Sequence, residues 1–326
     1  MFNIRLKNRV KNWHDLRAVQ HPTTNTAVTL LRTRFKTVAT LACHLLAISL
    51  LMLGQTQHAR ASDNIQHPFV VSGVFINSNN GNLIKRFTQY LSTQSGYPLQ
   101  VMYVNKYAEL SRVLRENPKA VGWTCGAPFV EDNDTTGQQL VAVPLFNKKP
   151  TYHSLVLTRT DRTEKTLADF KDGVLAYSDP RSNSGFLAPR YALHKQAIDI
   201  NNYFRLLLNT GSHEGSINAL LNKLADVATV DEYIWLTYLK DHPEAGKKLH
   251  EIERMGPFPF TPIVTGTEVN KDDIHKLTSA LLDMDDNAEG KKLLSEFYLD
   301  GFVEKSPAFY QPIKDMLNEV NIDTGK

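Results

Sequence analysis

Residues 166–194 read TLADFKDGVLAYSDPRSNSGFLAPRYALH, and the fold can be worked out from this stretch. The apolar run GVLAYS at 173–178 predicts a β-strand, and a helix is predicted from Phe186 onward. The chain passes from one to the other through Ser182-Asn183-Ser184-Gly185. A strand followed by a turn and a helix is the repeating unit of an α/β protein.

The turn at 182–185 permits two interpretations. The first N–H groups of a helix lack partners within it and carry a partial positive charge of roughly +0.5 e. The hydroxyls of Ser182 and Ser184 and the amide of Asn183 would add donors, and Gly185 would permit close approach of an anion. The same residues could instead form a plain N-cap. The tripeptide alone favours the plain cap, because caps of this kind are common.

The N-terminal residues resemble an export segment. Basic residues at 32–36 precede an apolar run at 37–54, and Ala59-Arg60-Ala61 follows it. Positive charge, an apolar middle and small residues at the cleavage position predict a secretory signal that is cut near Ala61. The alternative is an uncleaved membrane anchor formed by 37–54. Residues 1–61 are therefore set apart as an N-terminal extension and signal peptide.

Removal of that segment reverses the net charge. The whole chain has 37 Lys and Arg against 34 Asp and Glu, whereas residues 62–326 have 28 against 33 and a formal charge of −5. Such a balance lacks the basic footprint of a nucleic-acid-binding protein. Of the two cysteines, Cys43 lies in the export segment, so Cys125 has no partner for an intramolecular disulfide.

Strand and helix signals alternate along the remaining chain and predict two α/β lobes. Extended segments near 157–161 and 260–265 are expected to cross between the lobes. The first lobe would then contain residues 62–158 and 264–326, and the second residues 159–263. A cleft between two lobes joined by two strands is a natural site for a small ligand.

Eight short motifs occur in an order that resembles one family, the substrate-binding proteins of phosphate, phosphite and phosphonate ABC transporters. They are YAEL (107–110), GWTCGAPFVED (122–132), YHSLVLTRTD (152–161), TLADFKDGVLAYSDPRSNSGF (166–186), GSHEGSINAL (211–220), DVATVDEY (226–233), PFPFTPIV (257–264) and AEGKKLLSEFYLDGF (288–302). The resemblance covers most of residues 66–318. It implies a type II periplasmic binding protein fold, with two lobes joined by a two-strand hinge.

The resemblance also implies a ligand site in the cleft. Ser182, Asn183 and Ser184 would grip the oxyanion at a helix start in the second lobe. Other residues expected at the cleft are Trp123, Cys125, Tyr152, Gly185, His213, Glu214 and Asp231. Capping is the competing explanation for two of these positions, with Ser212 and Glu214 serving the helix at 213 and Asp231 serving the next helix.

Cys125 has two possible roles. Free cysteines are among the most buried residue types and commonly act as small hydrophobic side chains. A cleft thiol could instead bind a soft ligand such as trivalent arsenic. The second role would fit a sensory binding protein that presents an arsenic or sulfur oxyanion to a histidine-kinase ectodomain.

The favoured interpretation is a periplasmic, monomeric solute-binding protein that delivers a small oxyanion to an ABC transporter permease. HExxH, GxSxG and metal-ligand spacings of Cys and His are absent from the sequence, which argues against an enzyme. No cofactor and no nucleic acid are expected.

Overall fold

The computed structural model describes residues 66–74 and 81–322, which form two mixed β-sheets with helices packed around them. The predicted export segment lies outside these residues. Within them, no helix combines the length and the apolar character that a membrane crossing requires.

The first sheet has six strands in the order β11-β4-β10-β3-β1-β2. Its strands are β1 (His67–Ser72), β2 (Leu99–Val104), β3 (Val121–Trp123), β4 (Gln139–Leu145), β10 (Ile263–Thr265) and β11 (Gly301–Val303). Strand β1 runs parallel to both β2 and β3, and β10 runs antiparallel to β3 and β4. Phe69, Val70 and Val71 of β1 are fully buried, as expected for a parallel strand covered on both faces.

Six helices accompany this sheet. They are α1 (Gly81–Ser95), α2 (Tyr107–Glu116), α3 (Gly126–Thr136), α8 (Lys271–Leu282), α9 (Ala288–Phe297) and α10 (Gln311–Ile322). The first sheet together with α1–α3, α8 and α9 is called here the six-stranded half. Helix α10 contacts helices on both sides, since Lys314 Nζ lies 2.9 Å from Asp134 Oδ1 of α3 and Lys195 Nζ, just after α4, lies 2.8 Å from Glu319.

The second sheet has five strands in the order β7-β6-β8-β5-β9. Its strands are β5 (Thr151–Arg159), β6 (Val174–Tyr177), β7 (Leu206–Asn209), β8 (Val227–Asp231) and β9 (Leu249–Pro259). Its helices are α4 (Ala188–His194), α5 (Ile200–Tyr203), α6 (His213–Leu221) and α7 (Glu232–Asp241). This sheet and these helices are called the five-stranded half. Single 3₁₀ turns at 167–170, 243–247, 283–285 and 307–310 complete the described chain.

The chain passes between the sheets twice. The first passage lies between β4 and β5, because β5 pairs with β9 from Thr151 to Arg159. It therefore precedes residues 157–161, where the sequence places the first crossing. The return lies between the end of β9 at Pro259 and the start of β10 at Ile263, and overlaps the expected region 260–265.

Candidate functional site

The turn at 182–185 is a helix start that faces the six-stranded half. The Ser182 hydroxyl accepts the N–H of Gly185 at 3.0 Å and so caps the helix. The first turn, Asn183–Leu187, is π-helical, with the Leu187 N–H donating to the Ser182 carbonyl at 3.0 Å, and it leads directly into α4. Ser182, Asn183 and Ser184 are fully buried. The predicted cap is therefore present, and it is enclosed.

Two neighbouring strands fix the backbone of this turn. Ser154 Oγ of β5 donates to the Ser184 carbonyl at 2.6 Å, and Thr229 Oγ1 of β8 donates to the Gly185 carbonyl at 2.6 Å. Both hydroxyls are buried. These two bonds anchor the turn to the five-stranded sheet.

Two side-chain atoms of the turn are left without partners. Across the described residues, Asn183 Oδ1 and Ser184 Oγ are among the few buried side-chain polar atoms that have no hydrogen-bond partner. An unsatisfied buried polar group costs about 1–3 kcal/mol. A fold retains such a cost where another molecule supplies the missing contact or where strain serves function.

His213 begins α6 and is 1% exposed. Its Nδ1 accepts the backbone N–H of Asp231 at 3.2 Å, and its Nε2 lies 3.3 Å from Ser178 Oγ and 3.4 Å from Ser182 Oγ. Burial lowers the pKa of His213 to about 3. The ring is therefore neutral at physiological pH, with its hydrogen on Nε2 and directed at the two serine hydroxyls.

Asp231 ends β8 and caps α7, with Oδ1 accepting the N–H of Tyr233 at 2.8 Å and that of Ile234 at 3.4 Å. The residue is 1% exposed. Desolvation raises the pKa of Asp231 to about 8. The capping role suggested by sequence is thus present, and the carboxyl is largely protonated near neutral pH.

Tyr152 and Cys125 contact the turn from other elements. The hydroxyl of Tyr152 on β5 accepts from Asn183 Nδ2 at 3.1 Å. Cys125 Sγ, at the N-cap of α3, accepts the Asn183 N–H at 3.3 Å and thereby joins the two halves of the molecule. Burial raises the pKa of Cys125 to about 11, so it is a thiol at neutral pH. Cys125 is therefore a buried thiol, and it is also part of the contact around Ser182–Ser184.

Two of the residues expected at the cleft, Trp123 and Glu214, have other surroundings, and a third, Gly185, packs tightly against its serine neighbours. Trp123 is 2% exposed and packs in the aromatic core, with ring centroids 5.5 Å from Phe87 and from Phe297. Glu214 is half-buried in the first turn of α6, and its charge acts on Tyr238 of α7. A Cβ on Gly185 would lie 2.2 Å from Ser178 Oγ, so the open side of this glycine is filled by protein.

Two further residues belong with the site although the sequence did not single them out for it. Ser178 is fully buried after β6 and contacts His213. Tyr107, expected to be a core residue, is 1% exposed and packs with Val74 and Cys125. Burial, and to a lesser extent the nearby Cys125, raises the pKa of the Tyr107 phenol well above its usual value. Each residue borders a strand end or a helix start, a position that a capping or core residue occupies equally well, so the sequence alone does not assign either one to the site.

These residues form one group, called here the polar cluster: Tyr107, Cys125, Tyr152, Ser178, Ser182, Asn183, Ser184, His213 and Asp231. Five helices begin within it, at Tyr107, Gly126, Asn183, His213 and Glu232. Each helix start carries a partial positive charge. The group as defined contains no lysine or arginine, so its attraction for an anion comes from dipoles and hydroxyls. Across residues 66–74 and 81–322, His, Cys, Asp and Glu side chains form no group of three that could hold a metal ion.

A family model described as the periplasmic substrate-binding protein of phosphonate ABC transporters matches residues 77–310. The chain belongs to this family. Its members are substrate-binding components of transporters and are periplasmic, which agrees with the resemblance seen in the sequence. One curated relative is the phosphonates-binding periplasmic protein of Escherichia coli K12. This family member is 24% identical to it over 252 residues, 75% of this chain and 74% of that protein.

Solved structures of related proteins have the same fold. A binding component of an ABC phosphonate transporter from Pseudomonas aeruginosa superimposes with a TM-score of 0.71 and 24% identity, covering 78% of this chain and 87% of that one. PhnD1 of Prochlorococcus marinus MIT 9301, in complex with methylphosphonate, gives 0.68 and 18%, covering 78% and 98%. The predicted fold class, a type II periplasmic binding protein, is confirmed.

Proposed function

We propose that this family member is an exported solute-binding protein whose two halves act as lobes that close on a small oxyanion of the phosphonate, phosphite or phosphate class. The lobes release the ligand to the permease of an ABC transporter. Membership in the phosphonate transporter family supports the transport role. The ligand site itself is inferred from the contacts of this chain's own residues.

One observation carries the proposal: Ser184 Oγ and Asn183 Oδ1 are buried and unpartnered at a helix start between the two halves. Ser182 already caps this helix. Capping alone therefore does not explain why these two buried atoms have no partner. An oxyanion that accepts from the Ser184 hydroxyl would remove one of these costs.

Donors converge on this place from several elements. The Ser182 hydroxyl oxygen already receives the Gly185 N–H and lies near His213 Nε2, so its own hydrogen is available to a ligand. A half-turn of the Asn183 amide about its Cβ–Cγ bond would let its oxygen accept from the Tyr152 hydroxyl. The NH₂ group would then take the place of the oxygen and be able to donate to a ligand. Protonated Asp231, whose backbone N–H binds His213 Nδ1, adds a carboxyl O–H group to the cluster. Neutral donors of this kind bind anions inside proteins without a formal counter-charge.

A thiol-directed ligand is a second candidate, because Cys125 lies within the cluster. Soft ligands such as trivalent arsenic bind the thiolate, and burial opposes thiolate formation at Cys125. The oxyanion assignment is therefore favoured, and arsenite belongs in the binding test.

The decisive variant is Ser184→Ala. Ser184 Oγ has no partner with hydrogen-bond geometry among the described residues, and its contact with Tyr152 only modestly opposes the burial that raises the pKa of that phenol, so its removal should change the melting temperature without ligand very little. Loss of a hydrogen bond to a charged group costs about 1.5–3 kcal/mol, so we expect affinity to fall by about tenfold or more. Calorimetric titration with methylphosphonate, phosphite, phosphate, sulfate and arsenite measures both affinity and ligand preference.

Asn270→Ala is the matched control. Asn270 caps α8 through the Asp273 N–H at 2.9 Å, away from the polar cluster. It should lower stability by about 1 kcal/mol and leave affinity unchanged. Equal affinity of wild type and Ser184→Ala for every bound oxyanion would show that the cluster is not the binding site. Binding of arsenite alone, abolished by Cys125→Ser, would support the second candidate.

A further inference from the structure

The three residues before the turn, Asp179-Pro180-Arg181, reach from the five-stranded half to the six-stranded half. Arg181 Nε lies 2.8 Å from Glu131 Oε2, and Arg181 Nη2 lies 3.0 Å from Asp132 Oδ1, both on α3. Arg181 Nη1 donates to Ser111 Oγ of α2 at 2.5 Å. One guanidinium therefore holds two helices of the opposite half.

This ion pair is partly shielded from water. The side chains of Arg181 and Asp132 are 23% and 9% exposed, and Asp132 Oδ2 also accepts from Gln138 Nε2 at 3.1 Å. Surface ion pairs contribute little, but a partly buried fork of charge-assisted bonds is stronger and more directional. Removal of the arginine would leave Asp132 without its counter-charge.

Asp179 makes a second connection of a different kind. It is 4% exposed, and its carboxylate accepts the N–H of Arg181 at 2.7 Å and the N–H of Tyr107. Tyr107 is the first residue of α2, and the N-cap of that helix, Lys106, provides no side-chain cap. An acid from one half therefore caps a helix of the other half, where a negative charge also complements the helix dipole.

Both connections adjoin the polar cluster. Arg181 immediately precedes Ser182, and Asp179 follows Ser178. On the other side, Tyr107 belongs to the cluster, and α3, which carries Glu131 and Asp132, begins directly after Cys125. These two contacts between the halves thus lie between Ser178 and Ser182, directly before the turn that carries the proposed ligand donors.

We infer that Asp179 and Arg181 are positioning residues for closure: they form their contacts only when the two halves meet, and they hold the 182–184 turn against Cys125 without touching the ligand. Their effect on ligand release rests on the proposed function, whereas their effect on closure does not. A closed form that is held from outside the binding site should release its ligand slowly.

Arg181→Met tests this, because methionine fills a similar space without the fork of donors. We expect the dissociation rate of methylphosphonate, measured by stopped flow on the purified protein, to rise about tenfold or more, with an association rate within about threefold of wild type. Arg181→Lys keeps the charge but loses the fork and should restore part of the effect. Arg159→Met is the control, since Arg159 is 14% exposed and its polar partners, the Ala225 carbonyl, Asp161 and Asp226, all lie in the five-stranded half.

Small-angle X-ray scattering without ligand provides a readout that needs no binding. The radius of gyration of Arg181→Met should exceed that of wild type and of Arg159→Met, because the closed population falls. If wild type binds methylphosphonate, an unchanged dissociation rate in Arg181→Met, or an equal rise in Arg159→Met, overturns the inference. If wild type binds none of the oxyanions, the proposed function fails, and an unchanged radius of gyration then overturns the inference independently.

Discussion

The hydrogen on His213 determines what the residues around it can do. Asp231 N–H donates to Nδ1, which assigns the ring hydrogen to Nε2, and burial lowers the pKa of His213 to about 3. A charged imidazolium, which would be a stronger donor to an anion, is therefore excluded at physiological pH. His213 orients the hydroxyls of Ser178 and Ser182 as a neutral donor. Selectivity among anions must then depend on the positions of the hydrogen-bond donors and not on a buried positive charge.

Asp231 should make the stability of the ligand-free protein pH-dependent. Burial raises the pKa of Asp231 from 3.8 to about 8. The folded protein holds this proton more tightly than the unfolded chain does, so the contribution to stability is complete below about pH 4 and is lost as the pH rises through about 8. Asp231→Asn retains an acceptor for the Tyr233 N–H and has no such proton. Between about pH 5 and pH 8, the melting temperature of wild type should therefore fall more than that of Asp231→Asn in differential scanning calorimetry.

Two features isolate the effect of Asp231. The lowered pKa of His213 produces the opposite slope in acid, but it is common to wild type and variant and cancels in the comparison. Asp241→Asn, an exposed acid at the end of the same helix, should follow wild type. Parallel curves for wild type and Asp231→Asn would mean that the carboxyl is ionised in the fold.

At the scale of single residues, the sequence identified the turn at 182–185 but not every residue that surrounds it. Ser182-Asn183-Ser184 stands between a strand signal and a helix signal, so local pattern was sufficient to identify it. Ser178 and Tyr107 carry no local signal that separates them from capping or core residues. Their place beside His213 and Cys125 depends on how two separate sheets meet, which no short window of sequence contains.

At the scale of elements, the start of the helix at 183 is unusually wide. The Ser182 carbonyl accepts from both Phe186 and Leu187, at 3.1 and 3.0 Å. A single π-type turn of this kind is rare and occurs frequently at functional sites. The wide turn carries Asn183 and Ser184 across toward Cys125 and Tyr152.

Gly185 is essential to that turn for reasons of space. A Cβ at this position would lie 2.2 Å from Ser178 Oγ and 3.0 Å from Ser182 Oγ. Gly185→Ala must therefore displace Ser178, and overpacking of this kind costs about 1–3 kcal/mol. We expect a melting temperature several degrees below wild type, measured by circular dichroism, and partial recovery when Ser178→Gly is added. Gly81→Ala, whose nearest neighbour would be 3.7 Å away, should be tolerated. A Gly185→Ala variant as stable as wild type would contradict this packing.

The elements that sequence predicted are those with strong periodicity. The strand at 151–159 and the helix that begins at Tyr107 occur as expected. The strand Leu206–Asn209 has no such periodicity, because LLL has no alternation and only pairing with β6 makes it a strand. Helix α3 begins with Gly-Ala-Pro and has little amphipathic pattern, so its existence follows from packing.

For the whole molecule, alternation of strand and helix predicted the α/β class, and the order of motifs predicted the family. The position of the first passage between sheets was harder to place. Residues 157–159 are the end of β5 and residues 160–161 form the turn after it, and an extended sequence pattern looks alike whether the chain crosses between lobes or pairs within a sheet. Only the register of β5 with β9 along Thr151–Arg159 assigns them to the second sheet.

Net charge leads to a prediction about the rate of capture. Residues 62–326 carry 28 basic and 33 acidic side chains, so the field of these residues repels an anion at long range, while helix dipoles and hydroxyls attract it only inside the cluster. Screening should therefore raise the association rate of methylphosphonate, by roughly twofold between about 10 and 200 mM ionic strength. The dissociation rate should stay constant, because the buried cluster as defined contains no lysine or arginine. Stopped-flow measurements in sodium gluconate avoid competition by small anions, and Asp272→Lys, at an exposed position on α8, should flatten the salt dependence. An association rate that falls with added salt would instead reveal cationic side chains that steer the ligand at the entrance.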